Sequence, residues 1–161
     1  MYLLDRRRRR HSAPASTELM ANNQKIFVVE DHPSTARALK MFLETQGYEV
    51  SLAVDVASAV NFAKDNSFDL LICDLSLPDG TGWDLMKKLR AAGPVRGIAF
   101  TASGSEEDIA RSKEAGFIDH VLKGCSADEL AATIKQSLKQ QTKRKSSRPR
   151  RTTSPSRNGA E

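Results

Sequence analysis

The sequence predicts an α/β domain: a doubly wound, five-stranded parallel sheet in the order 2-1-3-4-5, carrying disordered basic tails. Three observations lead there. Short apolar runs alternate with amphipathic stretches five times between residues 24 and 141. The runs are nearly continuous in apolar residues, as strands covered on both faces require. The links between runs are short and rich in turn and capping residues, which suits repeated strand–helix units.

The first strand is placed at Lys25–Val29. A helix follows near Pro33–Gln46, with Ala36, Leu39, Phe42 and Leu43 on one face and Gly47 as its stop. The second strand is Glu49–Ala53. Asp55 then caps a helix whose apolar positions are Val56, Val60, Phe62 and Ala63. The third strand is Leu70–Cys73, and the turn Pro78-Asp79-Gly80 leads to a helix near Trp83–Ala91. The fourth strand is Val95–Thr101. Its helix opens with Ser105-Glu106-Glu107-Asp108, a cap with acids in the first turn. The fifth strand is Ile118–Leu122. The last helix opens with the capping box Ser126-Ala127-Asp128-Glu129 and runs to about Gln140.

Length and charge bound the organisation. A chain of 161 residues fits one domain plus tails. The net charge of +5 is unevenly spread. Residues 1–23 carry five arginines against Asp5 and Glu18, a net +3. Residues 142–161 carry seven Lys or Arg against Glu161, a net +6. Residues 24–141 hold 13 basic and 17 acidic side chains, a net −4. The domain is therefore acidic and its flanks basic. Both flanks are rich in Ser, Thr, Pro and Arg without apolar periodicity, so disorder is expected of them. No apolar run is long enough to span a membrane. None follows Arg6–Arg10 as a secretory signal requires. The expectation is a cytoplasmic protein with no membrane partner. Cys73 and Cys125 lack metal-ligand spacing. They are expected to end the third and fifth strands, with the fourth strand between them. Two strand spacings of about 4.8 Å exceed the Cα separation of roughly 4.4–6.8 Å that a disulfide bridges. Both are therefore expected reduced.

The chemistry lies just past the strand ends. Glu30-Asp31 follow the first strand and Asp74 the third; Thr101 ends the fourth, and Lys123 follows the fifth. Singly, each has an ordinary reading. An acid pair after a strand is usually a solvated loop, and a lone lysine a surface residue. Jointly they converge on one edge, because ligands of open α/β sheets bind outside the carboxyl ends of the strands. Clustered carboxylates repel one another unless a cation neutralises them. Oxygen-only ligation suits a hard ion such as Mg²⁺.

With these residues placed, the stretch 24–140 resembles the receiver domains of two-component response regulators. The likeness rests on Val29-Glu30-Asp31, on Asp74 with Leu77-Pro78-Asp79-Gly80-Thr81-Gly82, on Thr101-Ala102, and on Lys123. The run Gly97–Gly116 is most similar to receivers attached to hybrid sensor kinases. The resemblance implies a flavodoxin-like fold of five strand–helix units. It implies that Asp74 accepts a phosphoryl group from a partner's phosphohistidine, chemistry open to carboxylates. Glu30, Asp31, Asp74 and the Ser76 carbonyl would hold Mg²⁺. Lys123 would pair with the phosphoryl oxygens, and Thr101 would turn inward to meet them. The implied partners are a sensor histidine kinase or a histidine phosphotransfer protein, and a downstream protein target. The implied protein is a switch, not an enzyme beyond self-catalysed phosphotransfer and autodephosphorylation.

Two positions depart from the family pattern. Gly124 follows Lys123 where the family has proline in a cis peptide. Glycine's permissive backbone predicts a distorted trans loop and a less firmly seated lysine. His120 replaces the switching aromatic three residues before the lysine. It reads as a half-exposed polar strand residue, with a titratable switch as the sharper alternative.

The main expectation is a stand-alone receiver, since the twenty residues after the last helix are too few for a folded DNA-reading domain. The rival is a degenerate receiver used as an interaction scaffold, its tails touching nucleic acid nonspecifically. Solubilising flanks are the plainer reading of the same tails; no aromatics interleave with the arginines for base stacking. An aspartyl-nucleophile phosphatase fits poorly, because Ser76 stands where a second acid would protonate the leaving group.

Overall fold

Side chains alternate along each strand, and this divides the core between the two faces of one sheet. The structure is a computed structural model that describes residues 23–145. The elements are β1 (Lys25–Val29), α1 (Pro33–Thr45), β2 (Glu49–Ala53), α2 (Val56–Asp65), β3 (Leu70–Cys73), β4 (Ser76–Leu77), β5 (Gly80–Thr81), α3 (Gly82–Ala92), β6 (Gly97–Thr101), α4 (Glu106–Ala115), β7 (Asp119–Leu122) and α5 (Ala127–Lys145). The main sheet runs β2-β1-β3-β6-β7, all parallel. With the small β4–β5 hairpin set aside, this is the predicted order.

Phe27 and Val29 of β1, Leu71 and Cys73 of β3, and Ala99 of β6 pack with Val56, Leu85, Met86 and Ala115 from α2, α3 and α4. The intervening Ile26, Val28, Leu70, Ile72 and Ile98 pack with Leu39 and Leu43 of α1 and Leu130 and Ile134 of α5. Three helices thus cover one face and two the other. Each large side chain buried fully contributes about 1.5–3 kcal/mol. That gain holds the strand ends, and whatever follows them, in place.

The predicted caps form. Asp55 accepts from Ser58 N at 2.7 Å, Ser105 from Asp108 N at 3.1 Å, and Ser126 from Glu129 N at 3.2 Å. Gly47 has φ 86°, the left-handed conformation that ends α1. Several boundaries differ from the sequence reading. Helix α3 begins at Gly82, because the Thr81 hydroxyl accepts from Asp84 N at 3.1 Å and caps the helix one residue early. Strand β6 begins at Gly97 rather than Val95, past Pro94, which has no N–H for a ladder. Helix α5 continues past Gln140 to Lys145, through residues of fair helix propensity. Cys125 does not end the fifth strand. It lies in the turn after β7, its N–H bonded to Leu122 O at 3.0 Å. Both cysteines are free, Cys73 buried and Cys125 half-buried.

The flanks read as basic tails, 1–23 and 142–161, lie outside the described residues except for 23 and 142–145. Among the described residues no helix is long and apolar enough to cross a membrane.

Candidate functional site

Main-chain ladders place the predicted residues. Glu30 N donates to Ala53 O at 3.0 Å, Asp74 N to Val29 O at 2.9 Å, and Lys123 N to Thr101 O at 2.9 Å. Each chemistry-bearing residue is thus tied to the strand beside its own, at the same sheet edge. The alternation of the strands then turns Glu30, Asp74 and Thr101 inward, where all three are buried.

Lys123 reaches across this edge. Its ammonium donates to Asp74 Oδ2 at 2.7 Å and lies 2.8 Å from Glu30 Oε2. The second contact is an ion pair by distance only; no donor is aligned on Glu30 Oε2 for a hydrogen bond. The other Glu30 oxygen accepts from His32 N at 3.1 Å. Asp31 is exposed beside them. One carboxylate oxygen from each of Glu30, Asp31 and Asp74 falls within 4.8 Å of the other two, close enough to share an ion. The donor set is all oxygen, so it fits Mg²⁺ rather than a softer metal. Burial opposes the charge of Lys123, but the two carboxylates more than offset it and raise its pKa above the ordinary lysine value. Burial, reinforced by Asp74 and Glu30, raises the pKa of Cys73 far out of the range of a reactive thiol. Cys73 is packing, not chemistry.

The loop after Asp74 wraps back on it. Ser76 N donates to Asp74 Oδ1 at 3.2 Å. Gly82 N donates to Leu75 O at 3.0 Å. A Cβ on Gly82 would stand 2.3 Å from the Asp74 carbonyl oxygen, so only glycine lets α3 start this close. Thr101, buried at the end of β6, accepts at Oγ1 from Ser103 N at 3.3 Å.

The peptide after Lys123 is trans, as expected, but the distorted loop and loosely seated lysine expected of Gly124 are not seen. No cis peptide occurs among the described residues, and Gly124 lacks positive φ. A Cβ there would meet nothing within 4 Å. The turn is ordinary, and Lys123 sits between two carboxylates. His120 is the half-exposed polar strand residue that was expected, and it also has partners. It is bonded at both ring nitrogens, to Ser112 Oγ and Ser103 O. Sequence reasoning passed over Ser112 and gave Trp83 no polar partner. The indole N–H donates to Ser112 Oγ at 3.0 Å. A serine among apolar positions of α4 was the available signal.

The carboxyl edge of this sheet thus carries an acidic pocket bridged by a lysine. The chain belongs to the response regulator receiver domain family, which it matches over residues 26–135. It is 33% identical over 117 residues to the transcriptional regulatory protein DltR of Streptococcus agalactiae, covering 72% of this chain and 52% of that protein. It is 37% identical over 114 residues to the sensory transduction protein RegX3 of Mycolicibacterium smegmatis, covering 71% and 50%. The chain thus spans about half the length of these curated relatives. Among solved structures it is similar to a CheY-like receiver domain protein of Methanospirillum hungatei, with TM-score 0.72, 28% identity, and coverage of 76% of this chain and 98% of that one. These relatives are response regulators; the narrower likeness to hybrid-kinase receivers is not shown.

Proposed function

We propose that Asp74 is the phosphoacceptor of a two-component relay and that phosphorylation switches the binding of a partner protein. The donor is the phosphohistidine of a sensor histidine kinase or a histidine phosphotransfer protein. One observation carries this reading: Lys123 spans Asp74 and Glu30, with Asp31 within reach of one shared ion. A degenerate receiver would not be expected to keep the lysine so engaged.

The step balances simply. An Asp74 carboxylate oxygen attacks phosphorus, the P–O bond forms as the P–N bond breaks, and the electron pair leaves on the imidazole nitrogen, which takes a proton. The chain's residues supply position and charge. Asp74 is held by Ser76 N and by Lys123. After transfer, Lys123 pairs with the phosphoryl oxygens in place of the lost carboxylate charge, and Thr101 donates its hydroxyl to them. Glu30, Asp31, Asp74 and the Ser76 carbonyl would hold Mg²⁺, whose charge would offset repulsion between the carboxylates and the incoming phosphoryl group.

The test is labelling by acetyl phosphate with Mg²⁺. The wild-type chain should gain one acid- and base-labile phosphoryl group, and Asp74→Asn none. Labelling that persists in Asp74→Asn would place the acceptor elsewhere. The basic flanks are proposed to make, at most, nonspecific nucleic-acid contacts. Such binding must fall steeply with salt through counterion release.

A further inference from the structure

Asp79 is exposed, yet both of its carboxylate oxygens are engaged. Oδ1 accepts from Val56 N at 2.7 Å and Oδ2 from Ala57 N at 2.8 Å. These are the first two amides of α2. The third, Ser58, donates to Asp55 at 2.7 Å, and the fourth, Ala59, bonds the Asp55 carbonyl at 3.1 Å. A helix start normally leaves such N–H groups without partners inside the helix. Here each has one, and two of them come from a residue more than twenty positions away in the chain.

Asp79 sits at the tip of the β4–β5 hairpin, whose two pairs are Ser76↔Thr81 and Leu77↔Gly80. So short a ribbon has little stability of its own. At its base, Ser76 N is bonded to the Asp74 carboxylate and Gly82 N to Leu75 O. At its tip there is the Asp79 clamp. Gly80 packs there too: a Cβ on it would meet Val56 Cγ2 at 3.3 Å. The segment that carries Ser76 is thus anchored at one end by the acceptor and at the other by α2.

We propose that Asp79 is a positioning residue for phosphotransfer: its two-pronged clamp on α2 holds the hairpin so that the Ser76 main chain is pre-set beside Asp74 as part of the metal site. Asp79 acts through Ser76 and touches no reacting atom. Without the clamp the hairpin is tied only at its base, and metal binding must also order it. Affinity for Mg²⁺ then falls, while the chemistry of the loaded site is unchanged. The inference rests on the metal reading of the site proposed above.

Mg²⁺ titration of the full chain, followed by NMR amide shifts of the hairpin, tests it. Asp79→Ala should raise the half-saturating Mg²⁺ concentration about three- to tenfold, the range expected for loss of a cap interaction. Asp79→Asn keeps one acceptor oxygen and should fall between wild type and Asp79→Ala; it also serves if the alanine variant folds poorly. Asp55→Ala is the control. It removes a cap from the same helix but leaves the hairpin clamped, so it should lower thermal stability without moving half-saturation. With acetyl phosphate, Asp79→Ala should match the wild-type rate at saturating Mg²⁺ and lag only at low Mg²⁺. A wild-type half-saturation in both Asp79 variants overturns the proposal. An equal shift in Asp55→Ala overturns it too, as general loosening of α2. No Mg²⁺ response in the wild-type chain overturns the metal reading itself, and the positioning role with it.

Discussion

His120 and Ser112 share a hydrogen bond of 3.2 Å that ties β7 to the buried face of α4. The bond is one link in a chain. Trp83 of α3 donates its indole N–H to the Ser112 hydroxyl, and the other His120 nitrogen meets Ser103 O at 3.0 Å. The network assigns the proton: Nε2–H donates to the carbonyl, and the Ser112 hydroxyl donates to Nδ1. Ser103 also donates its own N–H to Thr101. A polar path therefore joins the Thr101 hydroxyl to the packing of α3 and α4. Arg111 completes the surface, its guanidinium 4.0 Å over the Trp83 ring.

Ser112→Ala should be costly for so small a change. It leaves the buried indole N–H and the His120 Nδ1 without partners, about 1–3 kcal/mol of unfolding free energy. Urea unfolding measures the loss, and Trp83, the single tryptophan, reports the altered environment by fluorescence. His120→Phe keeps ring bulk but releases Ser103. Its mark should be faster amide exchange at Ser103 and Gly104 with the core unchanged. Unaltered exchange would mean that the ring only fills space.

Lys123→Ala should make stability depend on metal. In the wild-type chain the lysine is the countercharge for Asp74 and the almost fully buried Glu30, whose side chain is 1% exposed. Lys123 itself is 24% exposed, so water screens part of the loss and about 1–3 kcal/mol is expected rather than the full cost of breaking a buried pair. Millimolar Mg²⁺ should raise the melting temperature more in the variant than in the wild type. Phosphoryl uptake should fall even with Mg²⁺ present. A melting temperature equal to wild type without metal would contradict the countercharge role.

The fold was legible because its signals are local and repeated. Asp55, Ser105 and Ser126 announce helix starts, and Phe27-Val28-Val29 can only be a strand covered on both sides. The site was legible for a related reason: topology brings strand ends together, so Glu30, Asp31, Asp74, Thr101 and Lys123 could be gathered from their positions alone. What escaped depends on pairing across elements. Asp79 reads as a turn residue until α2 is placed against the hairpin. Ser112, Trp83 and His120 come from three elements, and no spacing links them. Gly124 misled because glycine permits an unusual backbone without requiring one.

Two glycines near the site should behave oppositely on substitution by alanine. At Gly82 the new methyl would stand 2.3 Å from the Asp74 carbonyl oxygen, which is backbone and cannot turn away. Helix α3 must shift, with a cost of about 1–3 kcal/mol and displacement of Asp74. At Gly124 the methyl meets nothing within 4 Å, so Gly124→Ala should stay within about 0.5 kcal/mol of wild type and keep phosphoryl uptake. Thermal melts and acetyl phosphate labelling of both variants check the contrast. A damaged Gly124→Ala would return weight to a special backbone after Lys123.

Acid should loosen the fold from the capping aspartates inward. Asp79 is held below the usual carboxylate range first by the Val56 N–H, Asp84 by the Thr81 hydroxyl, and Asp108 by the Ser103 hydroxyl. Each has a folded pKa below its unfolded value of about 3.9. Below that value the unfolded chain binds more protons than the folded one, so stability falls as pH falls. The contribution is fully present above about pH 4 and is withdrawn as pH drops through the folded pKa values. All three groups lie at the surface, so the effect of each is small and screened by salt. Melting temperature recorded from pH 6 down to pH 3 should be flat at first and then decline. Asp79→Asn removes one titrating group and half of its clamp. Its curve should start lower at pH 6 and decline less steeply below pH 4. An acid limb parallel to wild type would show that the two α2 amides do not favour the ionised form of Asp79.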